Sequence, residues 1–576
     1  MASISPIPSV SSEPVAAPPA RSGGAHSGTP NFRGTDWRRK LRIGWLLWRV
    51  HRDAFRLAPL PYLQGVLWRL RGLRVRSRNR LAALMGRSAC AYALWIELHE
   101  GSAAADNRAA PPKIIRPVID CRSGREGLDR TIRSIVRAAP GAQPVIIGHG
   151  SDTALPCIER PRGLAAFSSD GAGWLLPMRP GDELSDASIS TYGAAAAKAA
   201  GAWLMYADDD LIDENGKRRA PHFKPRWNPE LFEHHDFITG ATIVRADRQI
   251  LARLPDDGWA EFLVRAALER GAEPVHLQAV LHHRRSRPEP VVPPKPAAHA
   301  FDSGPAVTAI IPTRNRHELL RKCIEGLRRT RYNAIETIVI DNGSDETETL
   351  DYLTLLEADG TIVLRMPGPF NYSALNNAAV KHARGNLLCF LNNDVEMTDP
   401  DWLSLLAQHA MRTDIGAVGA RLLYPDGTLQ HAGVFTGIGG GAGHAHRFQR
   451  ADEPGYFERA RLPQRVSAVT GACLVVARDK FLAVGGFDEE RFPVAFNDVD
   501  LCLKLNARGW QSFYEPRSTL IHHESKSRGS DASRGNRARF AAELAALKEV
   551  WNTDEFHDPY HHPNLSPFCE QFLVAI

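Results

Sequence analysis

Short apolar runs that alternate with helix-like segments dominate the pattern of this chain. In its later half, apolar runs over 307–311 and 335–340 enclose a helix-like segment over 319–329. A strand, a helix and a strand at this spacing predict a parallel sheet with helices on its faces. A further apolar run over 387–391 is typical of another buried strand.

The same plan occurs earlier in the chain. Apolar runs over 114–120 and 144–148 enclose a helix-like segment over 128–138, and Thr239-Gly240-Ala241 parallels Thr470-Gly471-Ala472. A repeated layout of this kind indicates two related units. We therefore predict an α/β chain with two Rossmann-like, mostly parallel sheet domains in tandem, preceded by a basic helical segment. The predicted divisions are a disordered tail over 1–36, the basic helical region over 37–110, a first domain over 111–286, a proline-rich linker over 287–304, a second domain over 305–530, and a C-terminal helix and tail over 531–576.

The basic helical region mixes arginine with tryptophan and leucine between Trp37 and Arg80, where Asp53 is the one acid. Such a helix suits the surface of an anionic membrane. The alternative is a basic helical pair packed on the main body, with arginine stems covering apolar surface. Both interpretations stay open at this point, and nucleic acid is not the expected partner.

Composition narrows the class of protein without naming a function. The chain has 576 residues and a formal net charge of +6, which is mild for this length. Its 8 cysteines lack a CxxC spacing. No leader with an apolar centre precedes the basic region, and no apolar run reaches the ~18 residues of a membrane span. We expect a cytoplasmic protein, with a peripheral position on the inner face of the membrane if the first interpretation of 37–80 holds.

Polar clusters follow the apolar runs of the second domain. Pro312-Thr313-Arg314-Asn315 and Asp341-Asn342 come directly after the first two runs. Ligands of open parallel sheets bind outside the carboxyl ends of the strands. An Asp at position 341 can accept hydrogen bonds from a base or a ribose, although an ordinary turn is the alternative.

A metal site is predicted after the run over 387–391. Mg²⁺ or Mn²⁺ takes oxygen ligands from one or two carboxylates and from a substrate phosphate. Asp394 is the best candidate, with Asn392 or Asn393 placed for the ribose. One of His522 and His523 could join the metal or contact the diphosphate. The alternative for Asp394 is a helix N-cap.

A base that would take the proton of an acceptor hydroxyl is predicted at the start of the helix-like segment over 501–505. Asp498 and Asp500 are the candidates, and they cannot share one helical face, so we choose Asp498. The alternative is that both acids stabilise the helix N-terminus. A glycine-rich stretch over 437–443 is a candidate lid on the acceptor side.

The first domain departs from the second at these positions. Gly148 corresponds to Asp341, and Ala260 falls opposite Asp498. Pro180-Gly181-Asp182 corresponds to Asn392-Asn393-Asp394, so one carboxylate is kept there. The first domain therefore keeps the fold and loses much of the site. Asp208-Asp209-Asp210 could mimic a metal site, or form a solvated acidic turn or an acceptor-side contact.

These motifs together resemble the inverting family 2 glycosyltransferases, whose domain has the GT-A fold. The resemblance rests on IIPTRNR (310–316), IVIDNGSD (338–345), FNYSALNNAA (370–379), FLNNDVEM (390–397), GGFDEERF (485–492), FNDVDLCLKL (496–505) and IHHESKSRG (521–529). YADDDLIDENG (206–216) and DPYHHPNLS (558–566) resemble members with two domains in tandem. The resemblance implies a nucleotide-sugar donor (dTDP-, UDP- or GDP-linked), a divalent cation, and a glycan or lipid-linked glycan acceptor in bacterial surface polysaccharide synthesis.

Candidate roles follow from the motifs and the resemblance together. The nucleotide-sugar-binding candidates are Pro312, Thr313, Arg314, Asn315, Asp341, Asn342, Asn371, Asn376, Arg384, Asn392 and Asn393. Asp394 and His523 are the metal candidates, Asp498 and Asp500 the catalytic ones, and Gly471, His522 and Arg528 lie on the acceptor or leaving-group side. A nucleotidyltransferase that makes the sugar nucleotide, and a non-catalytic nucleotide-sugar-binding scaffold, are the rival functions.

Overall fold

The computed structural model describes residues 37–100, 115–148, 155–167, 173–296, 304–523, 536–555 and 557–576. The predicted tail over 1–36 and the candidate Arg528 lie outside these residues. Among the described helices, none is both long and apolar enough to cross a bilayer.

The basic region forms helices, as its pattern predicts. They are α1 (Trp37–Leu57), α2 (Pro59–Leu70), α3 (Arg74–Met85) and α4 (Ala91–His99). Leu46, Val50 and Ala54 recur at the helical period on one side of α1 and are buried. That side packs with Leu94 of α4, so α1 is held against the protein along a narrow face.

The first sheet is built between residues 115 and 284. Its strands are β1 (Ile115–Asp120), β2 (Val145–Ile147), β3 (Cys157–Ile158), β4 (Gly173–Met178), β5 (Glu183–Leu184), β6 (Leu204–Ile212), β7 (Arg218–His222), β8 (Thr242–Ala246) and β9 (Val275–Arg284). The helices are α5 (Leu128–Ala138), α6 (Ser188–Lys198), α7 (Pro229–His234), α8 (Arg248–Ala252) and α9 (Trp259–Leu268). The strand order is β3-β2-β1-β4-β8-β6-β9-β5, with β7 on β6.

The second sheet is built between residues 307 and 522. Its strands are β10 (Val307–Thr313), β11 (Ile335–Asp341), β12 (Ile362–Arg365), β13 (Leu387–Leu391), β14 (Val395–Glu396), β15 (Ile415–Leu423), β16 (Leu429–His431), β19 (Gln464–Val466), β20 (Cys473–Ala477) and β21 (Gln511–His522). A separate hairpin joins β17 (Val434–Thr436) to β18 (Ala442–His444). The helices are α10 (His317–Arg329), α11 (Thr347–Ala358), α12 (Tyr372–Val380), α13 (Trp402–Ala410), α14 (Arg478–Ala483) and α15 (Asn497–Ala507), followed by α16 (Arg537–Trp551).

The two sheets share one strand order, which confirms the predicted tandem α/β architecture behind a helical segment. The order β12-β11-β10-β13-β20-β15-β21-β14 repeats that of the first sheet strand for strand. Parallel pairing joins β10 to β11 and β13, but β20 runs antiparallel to β13, as β8 does to β4. The sheets are therefore mixed rather than mostly parallel. The elements fall inside the predicted domain ranges, and the boundaries themselves remain predictions.

Ion pairs and the C-terminal tail join the two domains. Glu230 of the first domain accepts from Arg465 (Nε to Oε2, 2.8 Å) and also pairs with Arg412 of the second. The backbone N–H of Arg226 donates to the carbonyl of Pro559 (2.8 Å), and Tyr560 of the tail is buried. The first domain is thus packed against the second domain and its tail.

Asp208, Asp209 and Asp210 lie on β6 and are 0% exposed. The expectation of a solvated acidic turn is therefore wrong. Lys224 Nζ lies 2.7 Å from Asp209 Oδ2, and His283 Nδ1 lies 2.7 Å from Asp210 Oδ1. A buried carboxylate needs such partners, and side chains of the first domain supply several of them.

Asp208 lies with two histidines in a group that has the composition of a metal site. His276 Nε2 and His562 Nε2 each lie 2.9 Å from its carboxylate oxygens. His562 Nδ1 accepts from the backbone N–H of Asn564 (3.0 Å), so its proton is on Nε2, the atom that would have to ligate the metal. We interpret the group as a charged contact that fixes the tail to the first domain.

Candidate active site

The nucleotide end of the site lies where β10 and β11 end side by side. Thr313 and Asp341 are register partners at these strand ends, and both are buried. Asp341 Oδ1 accepts from the backbone N–H of Ser344 (2.9 Å), and Arg365 Nη1 lies 3.3 Å from Oδ2. The amide of Asn393 donates to Thr313 Oγ1 (2.9 Å), which connects this end to the next strand exit.

The predicted metal end lies between the exit of β13 and the end of β21. His522 Nε2 lies 3.1 Å from Asp394 Oδ1 and 3.3 Å from the side-chain amide nitrogen of Asn392. Both Asp394 and His522 are buried. Adjacent ligands of an octahedral ion with bonds of ~2.1 Å lie about 3 Å apart, so this carboxylate and imidazole have the spacing of two ligands of one cation.

The ring of His523, the predicted metal ligand, contacts Glu396 in this structure. Successive side chains of a strand point to opposite faces. His522 lies at the end of β21 with its ring on Asp394, whereas the His523 ring lies 3.0 Å from Glu396 Oε2. His522 is therefore the histidine whose ring lies on Asp394 in this structure.

Asp498 lies in the first turn of α15 and borders a cleft of about 200 Å³. Its carboxylate accepts from the backbone N–H of Gly471 (2.8 Å) and of Val499 (2.8 Å). The Tyr372 hydroxyl donates to the carbonyl of Gly471 (2.8 Å), which fixes the peptide next to the acid. Burial raises the pKa of the Asp498 carboxyl, and the hydrogen bonds from Gly471 and Val499 oppose that rise.

The same cleft brings the predicted base close to the predicted metal end. Asn392, Gly471, Asp498 and His522 all line it. Asp341 lies further along the same sheet edge and is not among the described residues that line the cleft. Asp394 is connected to the cleft through its contact with His522.

Asp500 is separated from the cleft by its own partners. The Trp551 indole donates to Asp500 Oδ1 (3.0 Å), and Lys504 Nζ lies 2.9 Å from Oδ2. Asp500 therefore fixes α16 against α15. Its position two residues from Asp498 puts it on another face of the helix, which explains why only Asp498 reaches the cleft.

Three of the predicted nucleotide-binding asparagines use their side chains within the protein. Asn315 bonds Asp345 through both its amide nitrogen (2.7 Å) and its carbonyl oxygen (2.9 Å). The Asn342 amide donates to the carbonyl of Met366 (2.8 Å). Asn371 caps α12 by accepting from the backbone N–H of Ala374 (2.9 Å).

The remaining candidates are more dispersed. Asn376 is fully buried inside α12, where its amide donates to the carbonyl of Tyr372 (2.8 Å). Arg384 pairs with Glu336 (2.6 Å) near the start of β11, at the sheet edge opposite Asp341. Pro312 is buried in β10, and Arg314 is exposed directly after it.

Several residues that the sequence did not single out also line the cleft. Gln430, Thr470 and His444 border it, the last from the β17–β18 hairpin. The candidate lid over 437–443 thus reaches the cleft through Ala442 and Gly443. Gln430 carries no recognisable spacing in the sequence, and Thr470 could have been found as the neighbour of Gly471.

Comparison with protein families identifies the second domain. Residues 308–481 match the family described as Glycosyl transferase family 2. This part of the chain is similar to glycosyl transferase family 2. The match covers the exits of β10, β11 and β13 and ends in α14, so it includes Asp341, Asp394 and Gly471.

Curated relatives extend the similarity into the first domain. The chain is 40% identical over 419 residues to the uncharacterized protein y4gI of Sinorhizobium fredii, covering 65% of this chain and 46% of that protein. It is 32% identical over 490 residues to the O-antigen biosynthesis protein RfbC of Myxococcus xanthus, covering 78% of this chain and 38% of that protein. The chain therefore spans less than half the length of either relative.

A solved structure shows a weaker likeness. The mannosyltransferase PcManGT of Pyrobaculum calidifontis, in complex with GDP-Man and Mn²⁺, has 17% sequence identity and a TM-score of 0.34, over 46% of this chain and 68% of that one. A likeness of this size supports no conclusion about the site.

Proposed function

We propose that the chain is an inverting, metal-assisted glycosyltransferase whose second domain is catalytic. The observation that supports it most is the single cleft lined by both His522, which contacts Asp394, and Asp498. Such a transferase needs a cation for the departing diphosphate and a base for the acceptor hydroxyl. The match to family 2 covers the domain that holds the cleft.

Asp394 and His522 would hold the divalent cation, Mg²⁺ or Mn²⁺, with phosphate oxygens of the donor completing its coordination. One carboxylate and one imidazole form a mixed oxygen and nitrogen ligand set that Mn²⁺ accepts. A bound cation would supply stabilisation of the charge that develops on the leaving diphosphate. The Asn392 amide nitrogen lies 3.3 Å from this same Nε2 atom, so it would have to give way when His522 holds the cation.

Asp498 would take the proton of the acceptor hydroxyl as this oxygen attacks the anomeric carbon. The raised pKa of its half-buried carboxyl makes it a stronger base than a fully exposed Asp. Of the described residues that line the cleft, Asp498 is the one carboxylate. A retaining double displacement requires a carboxylate nucleophile in addition to the acid–base residue, so this inventory supports a single, inverting displacement.

Asp341 and Thr313 would bind the nucleotide of a dTDP-, UDP- or GDP-linked donor at the ends of β10 and β11. We propose a glycan or lipid-linked glycan of the bacterial surface as acceptor, since the relative RfbC is named for O-antigen biosynthesis. Gly471 and Tyr372 would border the acceptor, because both line the cleft beside Asp498.

A lipid-linked acceptor fits a peripheral position on the membrane, and α1 offers a surface for it. Trp37, Leu41, Trp45 and Trp48 recur at the helical period on the outer side of α1 and are 52–64% exposed. Exposed apolar stripes among arginines are typical of helices that lie in an anionic lipid interface. Packing of α1 on the protein uses its other face, so the two interpretations of this region are compatible.

The proposal is tested by incubating the full chain with dTDP-, UDP- and GDP-sugars and Mn²⁺, and by measuring the nucleotide product. Release of nucleoside diphosphate, lost in Asp498→Asn and kept in Asp351→Asn, supports glycosyl transfer. Asp351 is an exposed acid of α11 and controls for charge removal. Release of pyrophosphate would identify the nucleotidyltransferase instead, and no turnover of any donor would favour the scaffold.

A further inference from the structure

The first domain has its own cleft at the position equivalent to the second domain's site. It has a volume of about 850 Å³ and is lined by Asp182, Thr239, Gly240, Trp259, Ala260 and Arg284, among others. These residues follow β4, precede β8, begin α9 and end β9. They therefore occupy the same places in the shared strand order as the residues around Asp394, Gly471, Asp498 and His522.

The cleft of the first domain is less negative than the site of the second domain at two positions. Ala260 stands at the helix start where the second domain has Asp498, so a carboxylate is lost. His283 pairs with Glu183 next to Asp182, as His522 pairs with Val395 next to Asp394, and Arg284 follows directly, so the first domain adds a permanent cation beside this histidine position. A site of this kind needs no metal ion to attract a diphosphate, because a guanidinium binds phosphate oxygens directly.

Several cations lie together around a buried acid beneath the cleft. Asp209 is contacted by Lys224 (2.7 Å), by Arg284 (3.8 Å) and by Arg287. Three cations thus share one carboxylate, and two of them, Arg284 and Arg287, line the cleft. Burial raises the pKa of Asp182, which weakens the opposing charge of that acid at the same place.

Two buried donors point to a missing acceptor in this cleft. Arg284 Nε and Thr239 Oγ1 have no hydrogen-bond partner among the described residues, and the two residues are 5% and 7% exposed. Buried polar groups without partners are rare in folded proteins. A ligand that brings several strong acceptor oxygens would satisfy both.

Two other acids of the cleft have partners within the protein. The Trp259 indole donates to Asp120 Oδ2 (2.8 Å), and Arg122 pairs with the same carboxylate (2.7 Å). Asp236 accepts from the backbone N–H of Thr239 (2.9 Å). Asp120 is therefore compensated by Arg122 and does not cancel the charge of Arg284.

The position of Arg284 favours ligand binding without transfer of a sugar. Its guanidinium lies against Gly240, where a Cβ atom would meet Cζ at 2.0 Å. Gly240 corresponds to Gly471, whose N–H holds the predicted base in the second domain. Arg284 fills the space next to that glycine in the first domain. A ligand held by Arg284 would therefore have no base beside it.

We propose that the cleft of the first domain binds a diphosphate ester, such as a nucleoside diphosphate or a sugar nucleotide, without a metal ion and without transferring sugar. This binding site does not depend on whether the second domain is a transferase. The two ideas can therefore fail separately.

The test uses the full chain carrying Asp394→Ala and Asp498→Asn, kept in EDTA so that the second site is disabled. Pyrophosphate, UDP, GDP and dTDP are titrated by calorimetry. We expect saturable binding at one site per chain, weakened at least tenfold by Arg284→Gln and several-fold by Thr239→Ala, and unchanged by Arg133→Gln. Arg133 is an exposed arginine of α5 that does not line the cleft.

Thr239→Ala decides the question if Arg284→Gln does not fold, because it removes one hydroxyl and leaves the charge network intact. The proposal would be overturned if binding required Mn²⁺ or were absent in EDTA. It would also be overturned if Thr239→Ala and a folded Arg284→Gln both left binding unchanged. Uridine competing where pyrophosphate does not would also overturn it, since the diphosphate would then not be the group recognised.

Discussion

Replacement of Asp498 by Asn is the most informative single change in the second domain. The amide has the size of the carboxylate, and its oxygen can still accept the N–H of Gly471, now 2.8 Å from Oδ2. The side-chain NH₂ would then face the N–H of Val499, which donates to Oδ1 in the native chain. We expect this mismatch to cost about 1 kcal/mol of the free energy of unfolding, roughly one lost hydrogen bond.

The effect on catalysis should be much larger. A positioned general base typically contributes about 10²–10⁴-fold, so kcat should fall by about that factor while KM for the donor changes little. The native enzyme needs the unprotonated carboxylate, so its rate should decrease as the pH falls through the raised pKa of Asp498. Asp498→Asn has no such group and should lose that limb of the profile.

The assay follows nucleoside diphosphate release under saturating donor, for the native chain, Asp498→Asn and the Asp351→Asn control, across the acidic pH range. Circular dichroism and thermal unfolding verify that each variant is folded. A folded Asp498→Asn with activity within tenfold of the native chain, or with the acidic limb retained, would refute the assignment of this residue as base.

Three further predictions test the roles of the two histidines, of Asp500 and of the exposed tryptophans of α1. His522→Ala should abolish Mn²⁺-dependent activity, whereas His523→Ala should reduce it less than tenfold. Titration of the rate with Mn²⁺ distinguishes the two variants. Equal loss in both would contradict the placement of His522, rather than His523, on Asp394. Asp500→Asn should lower the free energy of unfolding by about 1–3 kcal/mol through its contact with Trp551 while turnover per folded molecule is kept, as denaturant unfolding and activity together would show. Trp45→Ser with Trp48→Ser should reduce co-sedimentation with vesicles of anionic lipid and leave activity on a soluble acceptor unchanged, since both rings are exposed; native binding to neutral vesicles alone would contradict the charge argument.

Much of the fold could be predicted from the apolar periods of the chain. The strand–helix–strand pattern over 307–340 and its earlier copy correspond to real strands and helices, because buried strands and amphipathic helices impose different spacings on apolar residues. The antiparallel direction of β8 and β20 was not predictable in this way. A strand has the same alternation in either direction, so the sequence period carries no information about it.

The site was predictable at the level of clusters and not at the level of single side chains. The sequence indicates that one of His522 and His523 faces Asp394, but only the register of β14 against β21 decides which. Asp500 looks equivalent to Asp498 until α16 supplies Trp551 as its partner. These distinctions depend on residues distant in the chain, which local patterns do not contain.

Asp208, Asp209 and Asp210 show the same limit in the first domain. A run of acids favours exposure, because isolated carboxylates are costly to bury. In the folded chain, Lys224 and His562 approach these acids from other segments, and the tail that carries His562 follows the second domain. The cost of burial is offset by partners that the local sequence does not reveal.

The central claim is that Asp394 and His522 hold a cation within the cleft that Asp498 lines. Crystals soaked with Mn²⁺ and a nucleoside diphosphate allow the ion to be located by its anomalous scattering. The account predicts an anomalous peak within bonding distance, about 2–2.3 Å, of both Asp394 and His522, with the diphosphate on the side facing Asp498. A peak bound to His523 and Glu396, or elsewhere in the chain, with none between Asp394 and His522 would contradict it.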